Sequence, residues 1–274
     1  MSIFLLKNVT LNATASKQDM QGVKTMPRAN RHMIPGLIYH ITNRCHKREF
    51  LLRFVRDKKR WLHWLFKAKS CYGLKILGFT IMSNHIHLLV IAEGRHYVVA
   101  NSLALAEARV AQEYNRRKSR DGAFWGDRYQ ATAVESGGHL LNCLIYIDLN
   151  SVRAGIVDHP RNWRFCGYHE ILRQKKRNNL IDINCLLELI EMKSREEFTS
   201  FYTELIDRSI AHGSLKRESQ WTEAIAVGSE GYVDRVHAQL GLNSNRTKII
   251  ETDEGFILRE LPKPYEFDFS PKST

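Results

Sequence analysis

Two short apolar runs, Leu74–Met82 and His85–Ala92, are separated only by Ser83-Asn84. So brief a connection permits little but a tight reversal, and the runs read as a hairpin of two buried strands. Helical patterns stand on either side of it. Arg53–Ala68 sets Trp61, Trp64 and Leu65 at helical spacing among basic residues, and Val98–Arg117 does the same with Leu103, Ala106, Val110 and Tyr114. Outside these, Leu37–Asn43 alternates after the turn-like Pro35-Gly36, and Ala131–Glu135 is a fourth strand candidate. The order β-α-β-β-α-β predicts an α+β fold of the ferredoxin-like split-βαβ kind, an antiparallel sheet with helices on one face and the other free for a ligand. A third helix, Leu140–Ala154, follows and is closed by Gly155.

Charge divides the 274 residues unevenly. Residues 26–170 hold 23 basic and 11 acidic side chains, whereas 171–274 hold 15 and 17. A basic excess confined to one segment is the footprint of a polyanion partner, most simply nucleic acid, and clusters such as Lys58-Lys59-Arg60 and Arg116-Arg117-Lys118 fit it. Residues 1–25 read as a flexible N-terminal extension, 26–170 as the functional domain, 171–242 as a helical accessory region and 243–274 as a polar tail. Within the accessory region, Arg173–Asn179 reads as a linker and Cys185–Glu191, Arg195–Ala211 and Ser229–Leu240 as helices, with Ser229 the N-cap. No apolar run approaches the roughly 20 residues of a bilayer span. The N-terminal apolar stretch is closed by Lys7 and does not resemble a secretory signal, and five cysteines without a C-x-x-C pair suit reduced thiols. The expectation is a cytoplasmic protein with no membrane partner.

Three groups of residues could carry chemistry. His85-Ile-His87 lies on a strand, where alternate side chains share a face, so two imidazoles could share one divalent cation; two hydrogen-bonded core histidines are the plainer alternative. Neither the H-x-H-x-D-H pattern of zinc hydrolases nor the paired H-x-[ST] of two-histidine phosphoesterases is present. On the third helix, Tyr146, Asn150 and Arg153 gather on a side away from the Leu140, Leu144 and Ile147 stripe, offering a phenol, an amide and a guanidinium together. Phe124-Trp125-Gly126-Asp127-Arg128-Tyr129 interleaves aromatics with a base, and reads equally as a stacking surface for unpaired bases or as a hydrophobic plug at a sheet edge.

Taken together, Pro35-Gly-Leu-Ile-Tyr-His40, Met82-Ser-Asn-His-Ile-His-Leu-Leu89, Trp125-Gly-Asp-Arg-Tyr129 and Tyr146-Ile-Asp-Leu-Asn-Ser-Val-Arg-Ala-Gly155 resemble the REP-associated tyrosine transposases, single-tyrosine relatives within the HUH single-stranded-DNA endonuclease superfamily. The resemblance implies that His85 and His87 hold Mg²⁺ or Mn²⁺ with Asn150 a candidate third ligand, and that Tyr146 is the nucleophile, leaving a 5′-phosphotyrosine and a free 3′-OH. Arg153, Arg128, Trp125, Arg116, Arg117 and Lys118 are the expected DNA contacts; no general base is identifiable, His139 sharing the face of Tyr146 only if the helix begins before Gly137-Gly138 ends. The implied partner is single-stranded or hairpin DNA of repetitive extragenic type, and the implied assembly a monomer or homodimer. Members usually carry Pro where this chain has Ser151. Two other readings are a non-catalytic nucleic-acid-binding module and a degenerate transposase acting as a DNA-binding regulator.

Overall fold

The computed structural model describes residues 33–94, 97–173, 179–213, 215–241 and 246–261. The segment read as an N-terminal extension, the middle of the linker and the end of the tail lie outside them. The hairpin forms as expected from β2 (Lys75–Ile81) and β3 (His85–Ile91). Strand β1 (Ile38–Arg44) pairs antiparallel with β3 on one side and with β4 (Gln130–Val134) on the other. Helix α1 (Val55–Tyr72) crosses from β1 to β2, and α2 (Val98–Lys118) from β3 to β4. The order β2-β3-β1-β4 is that of the split-βαβ arrangement. Gly73 ends α1 at φ 74°, the left-handed geometry that glycine adopts without a steric penalty.

Helices α1 and α2 pack together on one face, where Asn43 of β1 donates to Glu107 of α2 at 2.8 Å. The other face, expected to be free, is covered. Helix α3 (Gly138–Asp148) and its continuation α4 (Asn150–Arg153) lie across it. The approach is close because β2 carries Gly78, where an added Cβ would stand 2.5 Å from Leu144 Cδ1. An apolar helix with no polar side to spare has no other way to leave water.

The second correction concerns the C-terminal third. Helices α5 (Tyr168–Leu172), α6 (Ile183–Leu189) and α7 (Arg195–Ala211) form, and Ser194 Oγ caps α7 by accepting from Glu197 N at 3.0 Å. Past the short α8 (Gln220–Glu223), however, the chain returns to the sheet. Strand β5 (Ala226–Gly228) runs parallel to β4, and after α9 (Glu230–Leu240), N-capped by Ser229 as expected, β6 (Thr247–Thr252) and β7 (Gly255–Glu260) make a hairpin beside it. Part of the expected tail is therefore sheet, and the described strands form one seven-stranded, mostly antiparallel sheet. One continuous core runs from Ile38 to Leu258 and includes Trp61, Tyr202 and Trp221. The composition change near residue 170 marks no break between cores. All five cysteines are free, and no described helix is long and apolar enough to cross a membrane.

This continuity changes what a truncation should do. Ending the chain at residue 170 uncovers the β4 edge and removes Trp221 from the core, so the shortened protein should aggregate or lose cooperative thermal unfolding. Size-exclusion chromatography and a melting curve measure this; a soluble monomer that melts cooperatively would show that the first 170 residues fold alone.

Candidate active site

A cleft of about 580 Å³ opens where the C-terminal end of β1 meets the start of β3, walled by Arg44, His85, His87, Arg128, Tyr146, Asn150, Arg153 and Arg217. The register sets its floor. Thr42 pairs with His87 and Arg44 with His85, so alternation places His40, Thr42, Arg44, His85 and His87 on the face under α3. Tyr146 and Asn150 are four residues apart and look down from the helix. The helical run is interrupted between them at Leu149, whose φ is −76° and ψ 0°, yet both side chains still reach the histidines. The side of the helix that carries the tyrosine, away from the leucine stripe, is buried as well: Tyr146 is 4% exposed. Its ring meets those of His87 at 6.0 Å and His40 at 6.1 Å, edge on.

The polar contacts form one network. Asn150 touches both strand histidines, its Oδ1 lying 3.1 Å from His85 Nε2 and its Nδ2 2.8 Å from His87 Nε2. His85 Nδ1 meets Asn84 Oδ1 at 2.7 Å, and Asn84 Nδ2 donates to the Arg48 carbonyl at 3.1 Å. His87 Nδ1 lies 2.9 Å from His40 Nε2, and His40 Nδ1 lies 2.7 Å from the Trp221 carbonyl. Arg153 donates to the Tyr146 carbonyl at 2.7 Å while its guanidinium carbon lies 4.1 Å from the tyrosine ring centroid. It thus fastens the helix to itself across the Leu149 irregularity and keeps a positive charge against the phenol.

Burial and positive neighbours shape the titrations. Desolvation lowers His85 to about 4, reinforced by Arg44, and lowers His40 to about 4, opposed by the Trp221 carbonyl. His87 falls well below the ordinary histidine value through burial and then its His40 and His85 neighbours. Burial raises the Tyr146 phenol, and Arg153 and Arg217 pull it back. All three rings are therefore neutral at pH 7, with lone pairs to offer, and the nucleophile candidate faces cationic side chains that favour its anion.

The remaining candidates divide. Arg128 lies on the cleft wall. Trp125 is engaged with the protein: its ring packs on Trp61 and Phe124, and Nε1 donates to the Glu107 carbonyl at 3.2 Å, which answers to the plug. Arg116 and Arg117 line a separate groove beside α1 and α2 with Arg56, Arg60 and Arg109, and Arg117 pairs with Asp57. Lys118 stands over Phe54 at 5.7 Å. His139, two helical turns before Tyr146, faces Glu135 at 3.8 Å and is no partner for the phenol. The sequence reading missed His40, Arg44, Arg217 and Trp221. For His40 there was a signal: an ionisable residue set among the apolar Ile38, Tyr39 and Ile41 of its strand.

The family described as "Transposase IS200 like" matches residues 34–150, the span that contains both histidines, Tyr146 and Asn150. That match spans less than half of the chain, and over it the chain is similar to the IS200-like transposases. Among solved structures, one of a REP-associated tyrosine transposase bound to a REP hairpin is 18% identical, covering 54% of this chain and 87% of that one at a TM-score of 0.45. A second, of a protein from Deinococcus radiodurans R1 assigned as a transposase, is 17% identical, covering 50% and 92% at a TM-score of 0.32. Among curated proteins none matches. Beyond residue 150 the chain adds Arg153 and Arg217 to the cleft wall and the Trp221 carbonyl that meets His40.

The titrations can be read directly. In metal-free protein the ring signals of His40 and His85 should hold their neutral positions from pH 8 down to about 5 and move only near pH 4. Midpoints close to 6.5 by NMR would mean that these rings are solvated and not held as described.

Proposed function

We propose that this protein is a transposase-like, divalent-metal-dependent endonuclease and strand transferase for single-stranded or hairpin DNA, working through a covalent link to Tyr146. The observation that carries the reading is the placing of Asn150 between His85 Nε2 and His87 Nε2 with Tyr146 packed beside them. Asn84 is oriented by the Arg48 carbonyl, so its Oδ1 takes the proton of His85 Nδ1, and a neutral His85 then turns the lone pair of Nε2 toward Asn150 Oδ1 at 3.1 Å. Two acceptors facing each other repel, and a cation between them removes the conflict. Among the described residues no cluster of three or more His, Cys, Asp or Glu is placed to hold a metal, so the set offered is two imidazoles and one amide oxygen. His85, His87 and Asn150 would hold Mg²⁺ or Mn²⁺, two imidazoles leaning toward Mn²⁺. When bound, the ion neutralises phosphate charge as a Lewis acid.

The protein's own groups do the rest. Tyr146 Oη attacks phosphorus, the bond from phosphorus to the 3′-oxygen breaks, and the phenol proton is accounted for on the released 3′-OH. The energy of the broken ester is kept in the 5′-phosphotyrosine, ready for a second strand. Arg153 and Arg217 lower the cost of the phenolate in a buried setting, and Arg44 and Arg128 on the cleft wall meet the DNA backbone. Ser151, where relatives usually have Pro, is fully buried on the helix and outside the cleft lining, so it leaves the polar network intact. A passive recognition sheet is disfavoured because both faces of this one are packed, leaving no open aromatic surface for bases.

Tyr146→Phe removes one hydroxyl and no charge, so it should abolish a denaturation-resistant protein–DNA adduct while leaving oligonucleotide affinity within about threefold of wild type. His85→Ala should lose the adduct and weaken Mn²⁺ binding together. Gel analysis of a labelled single-stranded or hairpin substrate with Mn²⁺ measures both; adduct formation undiminished by EDTA, or by the Phe variant, would refute the mechanism.

A further inference from the structure

The C-terminal third of the chain hydrogen-bonds to the histidines through the Trp221 carbonyl. Trp221 is 1% exposed, its Nε1 donates to Glu218 at 2.7 Å, and three residues on the Ala224 carbonyl accepts from Thr132 Oγ1 of β4 at 2.7 Å. Ala226 then pairs with Ala133. The Trp221 carbonyl is thus fixed relative to the sheet, and it points at His40 Nδ1.

A carbonyl oxygen only accepts, so His40 must carry its proton on Nδ1. The ring is 1% exposed and meets no anionic group among the described residues, so it is neutral and its Nε2 holds a lone pair. That lone pair lies 2.9 Å from His87 Nδ1, which must therefore be the donor. His87 in turn has its proton on Nδ1 and its lone pair on Nε2, the atom that faces Asn150 and the cleft. The opposite tautomer would set an N–H of His87 against the Asn150 Nδ2–H and leave nothing to hold a cation.

We infer that His40 is a positioning residue for His87, and that residues around Trp221, outside the stretch matched by the family, complete the site by setting that tautomer. The inference rests on the proposed reading of His85, His87 and Asn150 as a cation site. Partners that fix a ligating histidine are typically worth about 10–100-fold in metal affinity. Binding and order are then reciprocal, so a cation on His87 must also steady the Trp221 segment.

The test uses the full chain. Nitrogen-15 spectra of the metal-free wild type in EDTA should show His87 protonated at Nδ1 and bare at Nε2. In His40→Phe, which keeps a ring but no hydrogen bond, His87 should become a mixture of tautomers and Mn²⁺ affinity should fall by about 10–100-fold. His40→Gln, whose amide can donate to Trp221 and accept from His87, should restore most of it. Adding Mn²⁺ should slow amide exchange at residues 221–226 in wild type but not in His40→Phe. A wild-type His87 protonated at Nε2, or Mn²⁺ affinity unchanged in His40→Phe, overturns the inference. A wild type that binds no Mn²⁺ overturns the cation reading instead, and the ring-nitrogen spectra still decide whether the Trp221–His40–His87 chain exists.

Discussion

Three imidazoles in a near-dry layer between a sheet and a helix are expensive to bury unless every ring nitrogen meets a group of the right kind. That requirement organises this protein. His40, His85 and His87 each have both nitrogens engaged, by Trp221, Asn84, Asn150 and each other. The helix that covers them must bring Asn150 within hydrogen-bonding distance of two strand residues at once. Gly78 allows that approach by giving Leu144 the space a side chain would take. Arg153 then ties the helix across Leu149, so that Tyr146 stays in register with Asn150 below it. The one mismatch, acceptor against acceptor between His85 and Asn150, lies where the proposed chemistry needs positive charge.

The same constraint explains why the C-terminal third is not a separate attachment. A sheet ending at β4 would leave an open edge and an unmatched His40. The β5 strand closes the first and the Trp221 carbonyl answers the second. Arg217 comes with that segment and adds a charge to the cleft wall, although the segment as a whole is slightly acidic. Net charge by region therefore located the basic segment but hid Arg217, a cation from outside it that faces the site.

The hairpin, both crossover helices and the strand order were legible because their apolar residues repeat with clear periods and short connections force neighbours to pair. Strands β5, β6 and β7 were not. Ala226–Gly228 has three residues, too few for a period, and Thr247–Thr252 is half polar, so its pairing depends on partners far away in sequence. Spacing gave His85 with His87, and Tyr146 with Asn150, as two separate pairs; the family resemblance joined them into one set, and the structure brings them together. The wheel set Tyr146 apart from the leucine stripe but could not show that both sides are buried: the helix lies flat on the sheet, Leu144 meeting β2 while Tyr146 meets the histidines. Trp125 could be read either as a stacking surface or as a plug, and Arg117 as a DNA contact, because sequence does not reveal that Glu107 and Asp57 already hold them.

The central claim is that His85, His87 and Asn150 form one cation site beside Tyr146. Crystals of the wild type grown with Mn²⁺ and measured at the manganese absorption edge test it most directly. A single anomalous peak within about 2.5 Å of both Nε2 atoms and of Asn150 Oδ1 is the predicted result. A peak elsewhere, or an Asn150 amide still bridging the two rings with no peak between them at saturating Mn²⁺, would contradict the account.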